Sequence, residues 1–376
     1  MKKILFLIHD LAQGGAEKVL VNLVNNMDPD IFDITVMALF GGGVNEQFLK
    51  PHIRYQTVFP QPFRGNIHLM KLLTPSQLHR LFIRERYDIE VSYLEGPSAR
   101  IISGCPDKDT KLVSWIHIEQ HTTRKASRAF RGYQESLDCY RRFHRTICVS
   151  DTVRQDYLSL YPLENPVEVL YNTNESSAIL AQSRESVEPE IFHSDEIKLV
   201  GVGKLTTNKG FDRVARIHGK LHADGFPVHT YILGIGPEKA EIQRWLRENG
   251  LEDSFTFLGY QTNPYKYVSK CDLFVCASFA EGFSTAATEA LIVGTPVCTV
   301  EVSGMKEMLG DHNEWGIITR NDEEALYQGI KRLLDDPALL AHYKEKAAQR
   351  GKTFSTENTV RAVEEMLLTL SEQQED

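Results

Sequence analysis

The chain has 376 residues, of which 42% are hydrophobic and 25% charged, with a formal net charge of -9. This is enough for two ordinary domains with a core each, in a composition usual for soluble globular proteins. The acidic balance argues against a generic nucleic-acid binder, and no stretch approaches the ~20 apolar residues of a membrane span. At the N-terminus only five apolar residues run before His9 and Asp10, too few for a secretory signal. The six cysteines form no CxxC pair and several sit in apolar runs, as expected of buried free thiols in a reducing compartment. A cytoplasmic protein is expected.

Short apolar, β-branched runs alternate with longer amphipathic stretches. Strands are expected at 3–8, 33–38, 89–93, 111–117, 145–150 and 167–171, then at 198–202, 229–234, 254–259, 273–277, 296–300 and 316–319. Helices are expected at 16–27, 212–223, 237–249 and 323–334. Strand and helix in repeated order imply an α/β protein with parallel sheets and right-handed crossovers. Two sheets of about six strands suit this count better than one. Residues 174–196 are polar, rich in Ser and Glu, and contain Pro189, as interdomain linkers do. The expected organisation is a first domain at 1–175, a linker at 176–196, a second domain at 197–355, and a terminal segment, 356–376, whose helix returns toward the first domain.

Chemistry concentrates in the second half. Glu281 and Glu289 frame EGFSTAATEA, between a strand-like run and a helix-like run. Glu281 is thereby placed in the loop and Glu289 about two turns into the helix. A helix start offers unpaired N–H groups and partial positive charge, a seat for phosphate, and the carboxylates would accept sugar hydroxyls. A solvated helix face also accounts for two glutamates at this spacing. VGVGKLTTNKGFD places Lys204 and Lys209 in a strand-end loop, where ligands of open parallel sheets collect. Lysine acts there as a point charge on phosphate, although solvated surface lysines are the plain alternative. The GxG of ILGIGPE is equally explained by a tight turn.

In order and spacing, VGKLTTNKG, LGIGPE, FLGY, CDLFVCASFAEGFSTAATEAL and GTPV resemble the retaining glycosyltransferases of family four. GGAEKVL, ICVSDTVRQDY and VEVLYNTN extend the resemblance over nearly the whole chain. It implies the GT-B fold, two Rossmann-like domains facing each other across a cleft, with the EX7E motif at Glu281 and Glu289. It also implies metal-independent sugar transfer from a nucleoside-diphosphate donor with retention, needing no cofactor. Carried over by position, Glu281 lies near the donor sugar, Glu289 holds the ribose, and Lys209 meets the donor phosphates. Lys204 stands where arginine is usual, so the charge persists without the bidentate fork. Gly282, Phe283, Ser284 and Thr285 form the helix-start part of the donor site. Gly15 belongs to the N-terminal glycine loop, and His117 borders the reaction centre, with His121 close enough to confuse that assignment. Asn172 matches a family asparagine, but Thr173 replaces the usual glycine.

Asp107-Lys108-Asp109 is a DxD string away from the donor motifs and is not expected to hold metal. Residues 124–145 carry seven Lys or Arg against one Glu and one Asp, with aromatic or apolar residues every three or four positions. They read as one basic amphipathic helix, which would touch anionic lipid or simply present a solvated face. The expected partners are a nucleotide-sugar donor, UDP-linked by family frequency, and a lipid-linked or growing surface glycan. A nucleotide-sugar epimerase on the same fold and a non-catalytic binding module remain alternatives.

Overall fold

The computed structural model describes residues 1–12, 14–63, 65–188, 191–192 and 196–372. Two parallel sheets organise two compact units.

The first unit comprises Met1–Asn174 and the chain from Thr356 on. Its strands are β1 (Lys2–Ile8), β2 (Phe32–Phe40), β3 (Arg54–Phe59), β4 (Ile89–Ser92), β5 (Lys111–Ile116), β6 (Arg145–Cys148) and β7 (Val167–Val169). They are ordered β3-β2-β1-β4-β5-β6-β7, every pair parallel. Ile4 through Ile8 are buried on both faces, the pattern of a strand covered by helices on either side. Strand β3, absent from the sequence reading, is a polar edge strand with no buried residue. The helix Thr356–Glu372 completes this unit by burying Val360, Val363, Met366, Leu367 and Leu370. Thr356 Oγ1 donates to the Asn174 carbonyl at 2.7 Å, and the Glu364 carboxylate accepts the Asp28 backbone N–H at 2.7 Å.

The second unit, Glu175–Ser355, contains β8 (Ile197–Val202), β9 (Val228–Leu233), β10 (Phe255–Gly259), β11 (Leu273–Cys276), β12 (Val297–Val300) and β13 (Ile317–Thr319). Their order is β10-β9-β8-β11-β12-β13, again all parallel. Leu199, Ile232, Leu273 and Val300 meet Val214 and Leu221 of the helix Phe211–Ala223 and Ile330 of the helix Glu323–Asp335 in one core. All six cysteines are buried free thiols.

Two expectations change. The stretch read as a linker contains a helix, Ser176–Ser183, with Ile179 buried. Its Gln182 and Ser183 carbonyls accept from Asn263 and Ser269, and farther on Ile191 accepts from Tyr231. One buried apolar anchor in eight residues gives no readable period; Pro189 and residues 193–195 lie outside the described residues. The supposed basic helix at 124–145 is two short helices, Thr123–Ala126 and Tyr133–Tyr140, the second starting after an extended Gly132. Phe130, Leu137, Tyr140 and Phe143 are core residues. Arg100, 1% exposed, binds Glu135 and the carbonyls of Met70 and Leu73. The aromatic spacing therefore records rings packed on one another, Phe130 against Tyr140 and Tyr140 against Phe143, while Glu135 of the same stretch pairs with the buried guanidinium.

Each sheet reverses its strand order once, between β1 and β4 and between β8 and β11. Loops leaving the carboxyl ends of those strands diverge and open a crevice where ligands bind in open α/β sheets. In the second unit the loops are laced: Gly203 N–H donates to Leu233, Gly234 N–H to Gly259 and Leu205 N–H to Ile235, at 2.7–3.0 Å. Gly234 has φ +146°, and a Cβ there would overlap the Gly203 carbonyl oxygen. Gly234→Ala is expected to cost on the order of 2–3 kcal/mol, measured as a lowered denaturation midpoint at constant m-value.

Candidate functional site

After β8 the chain makes a 3-10 turn, Thr207–Lys209, and enters the next helix through Gly210 in the left-handed region at φ +64°. A Cβ on Gly210 would strike the Ala277 carbonyl, so glycine lets this loop lie against the end of β11. Phe279 N–H donates to Asn208 at 2.8 Å, and the Asn208 amide donates to Ala280 at 3.0 Å. This stitching brings Lys209 Nζ to 2.6 Å from Glu281 Oε1, and Ser278 Oγ donates to the same oxygen at 2.6 Å. The Glu281 side chain is 11% exposed and that of Lys209 30%. Such a short, half-sheltered charge-assisted bond holds both groups in one geometry. Arg213 secures the Ala277 carbonyl from beneath while its guanidinium covers the Phe279 ring at 3.9 Å.

Gly282 and Phe283 link Glu281 to the helix Thr285–Ile292. Ser284 is its N-cap, accepting the Ala287 N–H on Oγ. Phe283 is buried, its ring 6.0 Å from that of Phe354, so it anchors this turn to the core. Lys209, Ser278, Glu281 and Ser284 line one recess with Val202 and Ala277. The recess therefore joins an ammonium, a carboxylate and the N-terminus of a helix, whose peptide dipoles favour an anion.

Glu289 lies only about a turn into the helix, because the helix begins at Thr285 and not earlier. It is buried and accepts the Tyr265 hydroxyl at 3.1 Å. Lys204 is exposed, makes no ion pair among the described residues, and does not line the recess. Ser278 and Tyr265 were missed; Ser278 sits inside the quoted motif, whereas nothing local distinguishes Tyr265.

In the first unit Gly15 opens the helix Gly15–Asn26 directly behind β1, after an extended Gly14. His117 follows β5, buried, with its ring 5.0 Å from that of Tyr93. Burial pushes its pKa down to about 4, opposed by a hydrogen bond to the Tyr93 backbone. Nε2 is buried without a partner among the described residues. The ring is thus neutral, with Nδ1 left to donate to Tyr93 and Nε2 to accept. His121 is exposed at φ +60°, 3.6 Å from Asp156, and shares none of this environment. Asp107 and Asp109 both pair with Arg86, at 2.5 and 2.7 Å.

The whole chain overlays solved structures of the GT-B class. The structure of Anabaena HepE in complex with UDP and glucose is 18% identical with a TM-score of 0.78, covering 98% of this chain and 100% of that one. Sucrose-phosphate synthase from Thermosynechococcus elongatus is 16% identical with a TM-score of 0.75, covering 98% and 99%. Two parallel-sheet, Rossmann-like units of this kind define a GT-B protein.

Within that class, residues 13–173 match the model of Glycosyltransferase Family 4 and residues 182–350 that of Glycosyl transferases group 1. The chain belongs with these glycosyltransferases. A Campylobacter jejuni relative, N-acetylgalactosamine-N,N'-diacetylbacillosaminyl-diphospho-undecaprenol 4-alpha-N-acetylgalactosaminyltransferase, is 35% identical over 189 residues, about half the length of each chain. The lipopolysaccharide core biosynthesis glycosyltransferase LpsD of Rhizobium meliloti is 23% identical over 96% of both chains.

Because the native His117 ring stays neutral to about pH 4, whereas a free histidine titrates near 6.5, the unfolded chain binds more protons in between. Stability is therefore full above pH 6.5 and falls as pH drops toward 4, by up to about 3 kcal/mol from this residue. Denaturant titrations at pH 7, 5 and 4 should show that loss, and His117→Asn should reduce it.

Proposed function

We propose that the chain transfers a hexose or N-acetylhexosamine from a UDP-sugar to a lipid-linked or growing surface glycan, with retention and without a metal ion. The observation that carries this reading is the Lys209–Glu281 pair at the second unit's strand-order reversal, beside the N-terminus of the helix Thr285–Ile292. Lys209 and the amides at Ser284 and Thr285 supply the positive charge that a departing nucleoside diphosphate requires. Glu281 accepts from the sugar hydroxyls, Glu289 holds the ribose, and Lys204 adds long-range charge. The family resemblance assigns Gly15 and His117 to the same reaction. Support for a uridine donor comes from the UDP complexes of HepE and of Staphylococcus aureus TarM. The Campylobacter relative's name supports an acceptor carried on a lipid diphosphate.

Departure of the diphosphate breaks the anomeric C–O bond, and the acceptor oxygen bonds to the same carbon from the same face. The leaving phosphate oxygen takes the acceptor proton, so no side chain has to serve as general acid.

No helix among the described residues is long and apolar enough to cross a membrane. In this reading a cytoplasmic enzyme meets a lipid-linked acceptor at the membrane surface. Leu69 and Leu72 are exposed, Leu72 at 73%, and the Arg131 guanidinium binds the carbonyls of Lys71 and Leu72. A basic and apolar patch of this composition suits anionic lipid better than a continuous helix at 124–145 would. Leu72→Asp together with Arg131→Glu should abolish cosedimentation with phosphatidylglycerol vesicles; unchanged binding would remove this surface from the proposal.

Lys209→Ala and Glu281→Ala are each expected to lower transfer about 10²–10³-fold with unchanged circular dichroism. Wild-type rates in both would sink the site assignment. A thermal-shift series over UDP-, GDP- and ADP-sugars identifies the base, because the bound donor raises the midpoint by mass action. Release of nucleotide together with an extended glycan separates transfer from epimerisation and from simple binding.

A further inference from the structure

In the second unit Glu281 follows β11, the fourth strand of its sheet and the neighbour of β8 across the strand-order reversal. The first unit repeats this placement. Its fourth strand, β4, neighbours β1 across the reversal, and a glutamate again stands in the loop that follows: Glu95. That loop turns through Gly96 at φ +91° into the short helix Pro97–Ile102.

Glu95 is half-buried and bonds to the next strand end. Oε2 accepts the backbone N–H of His117 at 3.0 Å, and Oε1 accepts the Gln120 side-chain amide at 3.4 Å. Farther along the same loop, Asp156 accepts the backbone N–H groups of Gln120 and His121 at 2.7 and 3.0 Å. Two carboxylates from separate elements therefore clamp residues 117 to 121, and His121 is held in a left-handed conformation that non-glycine residues seldom adopt. Tyr93, whose backbone meets the His117 ring, lies two residues before Glu95. One loop thus sets both the backbone position of His117 and its tautomer.

We propose that Glu95 is a positioning residue: its carboxylate fixes the end of β5 and so holds His117 as a neutral, Nδ1-protonated ring in the one orientation the reaction uses. The proposal rests on the glycosyltransferase reading above for the reaction that His117 serves, but not for the clamp itself. Carboxylate acceptance of a backbone N–H is stronger than acceptance by a neutral group, and removing it leaves a sheltered donor unpaired. The strand end then relaxes, and a misplacement of about 1 Å at a reacting centre costs roughly a hundredfold in turnover.

The test compares Glu95→Ala, Glu95→Asp and Glu95→Gln in the full chain. Alanine removes the acceptor, aspartate keeps the charge but withdraws it by one methylene, and glutamine keeps an oxygen within reach. Alanine and aspartate should each lower kcat about a hundredfold, with UDP affinity by calorimetry unchanged, and glutamine should restore most of kcat. If alanine fails to fold, aspartate carries the comparison. Nitrogen-15 spectra of histidine-labelled protein read the clamp without turnover: His117 should be a single Nδ1-protonated neutral ring in wild type and a tautomer mixture in the aspartate variant. An unchanged nitrogen pattern, wild-type kcat in both alanine and aspartate variants, or a fall in UDP affinity would overturn the proposal. If no sugar is transferred by wild type, the nitrogen spectra alone decide it.

Discussion

Strands β8 and β11 are neighbours although some seventy residues separate them, and the 2.6 Å bond between Lys209 and Glu281 exists only because of that adjacency. A parallel sheet points both loops the same way, and the reversal of strand order at this place keeps any crossover helix from filling the gap between them. The positive and negative charges thus converge by topology before any ligand arrives. Ser278 and the lacing through Asn208 then remove the remaining freedom of the pair. An anion entering the recess competes for the Lys209 ammonium, whereas Glu281 keeps Ser278 as a donor. Exchange of partners, with little reorganisation, is what preorganised electrostatic sites offer.

The two units treat a sheltered carboxylate in different ways. Glu281 is balanced by a full charge and a hydroxyl. Glu95 accepts the His117 backbone N–H and the Gln120 amide with no ion pair among the described residues, so burial pushes its pKa above the usual carboxylate range while the His117 N–H pulls it back. The first arrangement makes a group that can exchange its cation for another. The second makes a fixed strut, suited to holding a neutral histidine in place.

Much of this was legible in the sequence where a physical pattern was strong. Runs such as IKLVGV and KKILFLI are apolar on both faces because helices cover both sides, and only a buried parallel strand reads so. EGFSTAATEA was legible because a strand end, a glycine and an N-capping serine fall in order. The misreadings have equally physical causes. Strand β3 buries nothing fully, so it leaves no apolar run. The aromatics of 124–145 recur at helical spacing while an extended glycine divides the segment. Glu289 sits nearer the helix start than two turns because Ser284, the N-cap, stands only five positions before it, little more than one turn. Glu95 and Tyr265 are single polar residues whose partners are distant in sequence, and no local pattern marks them.

The hydrogen bond from Asp28 to Glu364 spans 336 positions and ties the helix Thr356–Glu372 to the first unit. The second unit is thereby an insertion within the first. On a ribosome adding about 5–20 residues per second, residues 175 to 355 emerge and can collapse while the first unit still lacks its last helix. For roughly ten to forty seconds the surface destined for Val363 and Leu367 stays uncovered. The inserted unit fills that interval with its own folding, and by becoming compact it brings the two ends of the interrupted unit nearer than a loose chain of equal length would hold them. Synthesis order is thus written into the domain arrangement: the later half of the chain has to be made before the earlier half can receive its last helix.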